Sequence, residues 1–310
     1  IMQKQKIIHV SHKILVNLSR IHQMFYTKYQ FKFHRLSVIY SFIDDLERDY
    51  PAICTVSVIG KSVEGRDIKM LKISNSDASN DAVWLDASIH SREWISTAVV
   101  TYIADRLVRN FQKLPAYITK KDWYIVPVLN PDGYEYTHTK DRMWRKNRAC
   151  YGGECVGVDL NRNFSHGWGN NGDEGSSEEP NHVFYRGPTP FSEPETAAVR
   201  VIFLSFHSYF ELIIFPWGHK SDPCPDYLHL LEAGTRMAKV TSHLTYVACG
   251  TSTDWSYGSA KIPYSFMIEL RSKKYKFRLP KDQIMSTCIE IWNDDSDLNH
   301  CYQLHGPSNV

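Results

Sequence analysis

Apolar residues recur at helical spacing from residue 36 onward: Leu36, Ile39, Ile43 and Leu46 sit three or four apart, and Pro51 ends the pattern. That period predicts an amphipathic helix. Residues 56–59 and 68–73 are apolar-rich and flank a Glu64-Gly65 turn signal, which predicts a β-hairpin. Residues 82–89, almost wholly apolar, read as a strand covered on both faces. Ile95, Ala98, Val99, Tyr102 and Leu107 then trace one face of a long helix, and residues 123–129 supply another apolar strand. Strand, helix and strand in that order predict a parallel crossover.

Residues 132–191 are rich in Gly, Asn, Pro and Ser and predict a connection far longer than usual, of the kind that carries function. Beyond it come short strands at 203–206, 212–215 and 265–270 and a helix near 227–240. Residues 1–33 are basic and irregular and give no assignable element. There are no internal repeats. The pattern predicts one α/β domain over residues 34–291, with an unassigned extension before it and a tail at 292–310.

Composition narrows the classes of function. The 310 residues carry 36 Lys+Arg against 34 Asp+Glu, a net charge of +2 without long like-charge runs, so no basic stripe for nucleic acid is present. No window reaches the roughly 18 uninterrupted apolar residues that cross a bilayer. With 43% hydrophobic residues the chain can bury a sizeable core. The seven cysteines form no CxxC pair, and Cys150 and Cys155 bracket a Gly-Gly segment that a short disulfide could close. Apolar residues near the start are interrupted by His9, His12 and Lys13, so no secretory signal is read there.

The candidate chemistry begins at His90-Ser91-Arg92-Glu93, where the buried strand gives way to the long helix. Open α/β sheets place their sites at that edge. A His and a carboxylate three residues apart on a helical first turn can face one ion. A third ligand is needed, and His207, again at the end of an apolar strand, is the best candidate. Taken alone, HxxE is a weak pattern found at many solvated helix starts.

The surrounding blocks change that. His90-Ser91-Arg92-Glu93-Trp94, Asn130-Pro131-Asp132-Gly133-Tyr134, Met143-Trp144-Arg145-Lys146, Gly157-Val158-Asp159-Leu160-Asn161-Arg162-Asn163, His207-Ser208-Tyr209, Asp254-Trp255-Ser256-Tyr257 and Ile268-Glu269-Leu270-Arg271 follow one another in an order that resembles the zinc metallocarboxypeptidases of the digestive carboxypeptidase A/B type. The resemblance implies a mixed, mostly parallel twisted sheet with helices on both faces, and an exopeptidase that removes the C-terminal residue of peptides.

It further implies one Zn2+ held by His90, Glu93 and His207, a ligand set that general zinc chemistry already describes for carboxypeptidase A. Glu269 is then the general base and Arg145 the stabiliser of the developing oxyanion. Asn161, Arg162 and Tyr246 clamp the substrate carboxylate, Arg92 contacts the substrate further from the cleaved bond, and Asp159 orients a zinc histidine. In such enzymes the residue just before the Asp254-Trp255 block lies at the base of the terminal side-chain pocket. Here it is the neutral Thr253, which implies uncharged apolar or aromatic termini, with Met267 narrowing the same pocket.

The partners implied are a peptide or protein C-terminus and a proteinaceous inhibitor, with neither nucleic acid nor membrane, for a secreted monomer. Against the family pattern the chain is shortened near 192–207 and near 227–246, which predicts displacement of His207 and Tyr246, and residues 292–310 replace a continuing helix. A second reading therefore stands beside the first: an impaired relative that binds zinc or peptide without turnover, or an incomplete gene model.

Overall fold

The computed structural model describes residues 32–151, 156–170, 172, 174–199, 204–237 and 247–293. In chain order the elements are α1 (Leu36–Asp49), β1 (Cys54–Lys61), β2 (Asp67–Ile73), β3 (Asp81–Ala87), α2 (Trp94–Asn110), α3 (Ala116–Thr119), β4 (Lys121–Val126), α4 (Pro131–Thr139), α5 (Pro194–Ala197), β5 (Leu204–Ser208), β6 (Leu212–Ile214), α6 (Tyr227–Met237), α7 (Ser252–Gly258), β7 (Phe266–Leu270) and α8 (Ile284–Asn293). A 3-10 turn at Leu160–Arg162 lies inside the long connection.

The seven described strands form one sheet in the order β1-β2-β4-β3-β5-β7-β6. Strands β4, β3, β5 and β7 run parallel, while β1, β2 and β6 complete the edges antiparallel. The predicted mixed, mostly parallel α/β sheet is thus observed.

Strand alternation divides the core between the two faces. Val83, Leu85 and Ala87 of β3, Phe206 of β5 and Phe266, Ile268 and Leu270 of β7 join one cluster with α1, α2 and α8. Trp84 of β3 joins the other, with Leu160, Phe164 and Trp255. Ser205, His207, Met267 and Glu269 have the opposite parity to Phe206 and Ile268, so these side chains belong to the second face.

Helix α1 forms because its apolar positions repeat every three to four residues, burying Leu36, Ile39, Phe42, Ile43 and Leu46. Leu46 is 2% exposed, and cutting it to Ala would cost about 2–5 kcal/mol. Pro51 follows directly and stops the helix.

Two expectations need correction. The long connection holds a nine-residue helix, α4, which starts because Pro131 suits a first turn and Asn130 caps it, accepting from the Gly133 N–H at 2.9 Å. Nor do His90 and Glu93 share a helical turn: α2 begins at Trp94, with Glu93 as its N-cap residue. Among the described residues, the shortened stretch after residue 192 holds the four-residue α5 before β5. The end of the helix expected near 227–240 lies outside the described residues beyond Met237, as does the tail beyond Asn293. Cys150 is disulfide-bonded, while Cys155 lies outside the described residues.

Candidate metal centre and catalytic cleft

The parallel strands deliver the site from their carboxyl ends, where unsatisfied backbone and loop residues collect. His90 follows β3 by three residues, His207 is the fourth residue of β5, and Glu269 is the fourth of β7. His90 reaches back toward Glu93 through a tight turn in which the Glu93 N–H donates to His90 O at 3.2 Å. Asn130 fixes that turn against the next loop, its amide donating to Ile89 O (3.2 Å) and Lys146 O (3.0 Å).

His90, Glu93 and His207 are all buried, and one ligand atom from each lies within 4.8 Å of the others. His90 Nδ1 stands 3.0 Å from Glu93 Oε1, and His207 Nδ1 stands 3.0 Å from Glu93 Oε2. On its other side, His90 Nε2 is 3.1 Å from Asp159 Oδ1. A carboxylate only accepts, and both ring nitrogens face one, so a neutral ring with its single proton can satisfy only one of the two contacts by donation. The other nitrogen then turns a lone pair to a carboxylate oxygen, an arrangement that a cation between them relieves. The His207 contact lacks hydrogen-bond alignment, and neither of its ring nitrogens has a hydrogen-bond partner although the residue is 1% exposed. Buried imidazole left unpaired is costly. Two imidazoles and one carboxylate fit zinc by donor chemistry, and His207 has the unspent ligand atom such an ion requires. The predicted displacement of His207 is therefore not observed.

Electrostatics reinforce the grouping. Burial pushes the Glu93 carboxyl up, but His90 and His207 overcome it and hold it well below the usual carboxylate range. Burial lowers the His90 imidazole, helped by Arg145. Burial also opposes charge on His207, and Glu93 overcomes it, raising that ring. Glu269 moves the opposite way to Glu93: burial, then the nearby Glu93 charge, push it up to about 7. Its Oε2 accepts from the Phe210 N–H at 3.4 Å.

Asp159 is fully buried and links two functional groups. Oδ1 meets His90, while Oδ2 accepts from Arg145 Nε at 2.9 Å and lies 2.9 Å from its Nη2. Burial alone would raise this carboxyl, but Arg145 and His90 hold it far down. The Asn161 amide oxygen accepts from Ser252 N and Oγ, both at 2.9 Å, which fixes the orientation of the amide. Arg162 donates from Nε to Gly175 O (2.6 Å) and from Nη1 to Asn161 O (2.8 Å), so its guanidinium plane is fixed. Arg145 and Arg162 both pack on Phe184, at 5.4 and 5.1 Å from the ring centre. Phe184 had no sequence signal.

Arg92 stacks 4.0 Å over Phe277, with its Nε buried and unpaired. Thr253 is buried on α7 with an unpaired hydroxyl. Met267 pairs in register with Ser205 on β5 and Ile214 on β6. Tyr246 lies outside the described residues. Sequence reasoning missed Asn147, Glu193 and Glu195, three buried polar residues, because nothing in their spacing marks them.

A family model for zinc carboxypeptidases matches residues 39–294. This chain belongs to the zinc carboxypeptidase family. Carboxypeptidase B of Astacus astacus is 38% identical over 287 residues, covering 84% of this chain and 93% of its own. Carboxypeptidase A5 of Homo sapiens is 37% identical over 303 residues, covering 87% and 68% respectively. Among solved structures, bovine thrombin-activatable fibrinolysis inhibitor in complex with tick carboxypeptidase inhibitor superposes with a TM-score of 0.81 at 33% identity, over 90% of this chain and 100% of that one. Carboxypeptidase A of Helicoverpa armigera gives 0.81 at 28% identity, over 95% and 81%. The protein is a peptide hydrolase of the metallocarboxypeptidase type. No helix among the described residues is long and apolar enough to cross a membrane.

Proposed function

We propose that residues 34–291 form a zinc-dependent exopeptidase that removes an uncharged apolar or aromatic residue from peptide C-termini. The observation that carries this reading is the convergence of the His90, Glu93 and His207 ligand atoms within 4.8 Å, with Glu269 on the neighbouring strand in register with His207. Zinc held by those three residues supplies Lewis acidity and lowers the pKa of water from 15.7 to about 7.

Glu269 takes the proton of the attacking water as that water adds to the scissile carbonyl, and afterwards hands it to the leaving amine. Burial, then the Glu93 charge, raise its carboxyl, which brings it nearer to holding a proton between the two transfers. Arg145, held by Asp159, faces the negative charge that develops on the carbonyl oxygen and needs no reorientation to do so. Arg162, Asn161 and Tyr246 bind the free carboxylate, which makes a chain terminus the required substrate. Arg92 contacts the substrate on the far side of the cleaved bond. Asp159 orients His90 through its contact with Nε2.

Thr253, a neutral residue at the base of the terminal side-chain pocket, offers no charge to offset burial of Lys, Arg, Asp or Glu. The partners we propose are a peptide or protein C-terminus as substrate and a proteinaceous inhibitor, a reading supported by the bovine relative's structure in complex with tick carboxypeptidase inhibitor. We place the enzyme outside the cell, as a monomer.

Zinc stoichiometry measured together with hydrolysis of blocked dipeptides ending in Phe, Leu, Lys and Glu tests this. One zinc per chain with fastest release of Phe or Leu is expected. Zinc bound without turnover would instead support a binding module, and a preference for Lys or Glu would overturn the specificity.

A further inference from the structure

Beside the segments that carry Arg145 and Arg162, two buried asparagines and two buried glutamates form a polar knot. Asn147, Asn163 and Glu195 are 0% exposed, and Glu193 is 1% exposed. Asn147 lies two residues beyond Arg145, and Asn163 directly follows Arg162. Glu193 is bonded to both. Its Oε2 accepts from Asn147 Nδ2 at 2.6 Å, and its backbone N–H donates to Asn163 Oδ1 at 3.3 Å.

The remaining atoms of the knot are committed as well. Asn147 Oδ1 accepts from Val158 N (2.8 Å) and Ala149 N (3.2 Å), which ties the Arg145 segment to the segment entering Asp159. Asn163 Nδ2 donates to Ser192 Oγ and Arg186 O, both at 2.9 Å, and to Thr189 O at 3.0 Å. Ser192 Oγ also donates to Glu193 Oε1 at 2.7 Å, and Tyr151 OH reaches the same oxygen at 2.5 Å. Gly187 has φ +80°, and a Cβ there would meet Ser192 Oγ at 2.5 Å and Asn163 Nδ2 at 2.7 Å. Only glycine leaves the room.

The knot is a poor device for stability alone. Among the described residues neither Glu193 nor Glu195 has a cationic partner, and both carboxylates share the single Asn147 NH2. Burial and then the neighbouring Glu193 charge are consistent with Glu195 holding its proton up to about pH 7. An apolar cluster of the same volume would be no less stable. What hydrogen bonds add over apolar contact is fixed direction, and here they run from one substrate-facing loop to the other.

The geometry points to Glu193 as a positioning residue that holds Arg145 in register with Asn161 and Arg162. This rests on the substrate roles proposed above for those three residues. The oxyanion and the terminal carboxylate sit at a fixed separation in any peptide, so two loops that bind them must keep a fixed separation too. Glu193 sets it through one side-chain and one backbone bond.

Steady-state kinetics of Glu193→Ala on a blocked dipeptide ending in Phe test the inference. A fall in kcat/KM of about 100-fold is expected, shared between a higher KM and a lower kcat because both loops drift. Glu193→Gln keeps an acceptor for Asn147 and recovers most of it. Leu46→Ala, in the remote apolar cluster, serves as a destabilised control with wild-type kinetics. A folded Glu193→Ala whose KM and kcat stay within about twofold of the wild type overturns the proposal.

Should Glu193→Ala not fold, Ser192→Ala removes one bridging hydroxyl and no charge, and a smaller change in both parameters is expected; no change overturns the proposal. Hydrogen exchange over residues 142–149 and 158–164 reads the linkage without turnover. The two segments should loosen together in the folded variant, and independent behaviour overturns the coupling. A wild type that lacks turnover strikes at the proposed activity, whereas the exchange result still decides the linkage.

Discussion

His207 and Glu269 occupy paired positions on adjacent parallel strands, β5 and β7. Same-register residues on neighbouring strands point to the same face, so the sheet itself sets a candidate metal ligand beside a carboxylate whose burial keeps it easy to protonate. The pairing places the candidate base without any loop having to fold over the site, and the following predictions build on it.

Glu269→Gln preserves shape and removes the base. A kcat loss of about 10²–10⁴-fold is expected, with zinc stoichiometry unchanged. Equilibrium dialysis and initial rates on one preparation check both halves; loss of zinc along with activity would reassign Glu269 to the metal.

The pH dependence follows with a definite sign. The base works only when ionised, and burial followed by Glu93 raises Glu269 to about 7. Activity should therefore rise with pH and level off once Glu269 ionises. A cation at the ligands favours the ionised form, so the acid limb of the zinc enzyme should lie at or below about 7, with the metal-free protein titrating at the higher value. Rate profiles and carboxyl NMR of the two forms check this.

Chelation should abolish hydrolysis and lower thermal stability, because an ion that binds only the folded chain adds roughly 2.7 kcal/mol at a concentration 100 times its Kd. His207→Ala should remove that gain, so that added zinc no longer raises the melting temperature, and should also lower the metal-free value because the contact of the ring with Glu93 is lost. Calorimetry with and without zinc is the measurement.

Asp159→Asn should act on two functions at once. Its carboxylate holds His90 and Arg145 through different oxygens. An amide can serve only one of these donors, so zinc affinity should fall by about 10–100-fold, and kcat should remain low even when zinc is saturating. Recovery of full kcat at saturating zinc would confine Asp159 to the metal.

Glu195 predicts a stability slope. Its folded-state pKa is raised from 4.5 to about 7, chiefly by burial. The folded state then binds more protons than the unfolded state between those values, so stability falls as pH rises through that window and is flat above it. At roughly 1.4 kcal/mol per pKa unit the change amounts to a few kcal/mol. Urea unfolding from pH 4.5 to 8 should show it, and Glu195→Gln should flatten it.

Much of the molecule was legible in one dimension. The helical spacing of Leu36, Ile39, Ile43 and Leu46 and the apolar run through residues 82–89 announced α1 and β3, because a repeating period directly reports which side of an element is buried. Helix α4 was hidden, because Pro131, Asp132 and Gly133 read as a loop unless the Asn130 cap is recognised. The blocks around His90, Asp159, His207 and Glu269 identified the family.

Only the tertiary structure decided how those side chains meet. Periodicity fixes faces within an element but carries no information about which elements become neighbours, and here β5 and β7 flank each other although β6 separates them in sequence. That strand order brings His207 to His90 and Glu93 despite the shortened stretch before it. It also sets Asp159 3.1 Å from His90 Nε2, a contact between residues far apart in the chain. The Asn147, Glu193 and Asn163 knot was invisible for the same reason: each residue is ordinary where it stands in the chain, and its role lies entirely in hydrogen bonds between segments that sequence keeps apart.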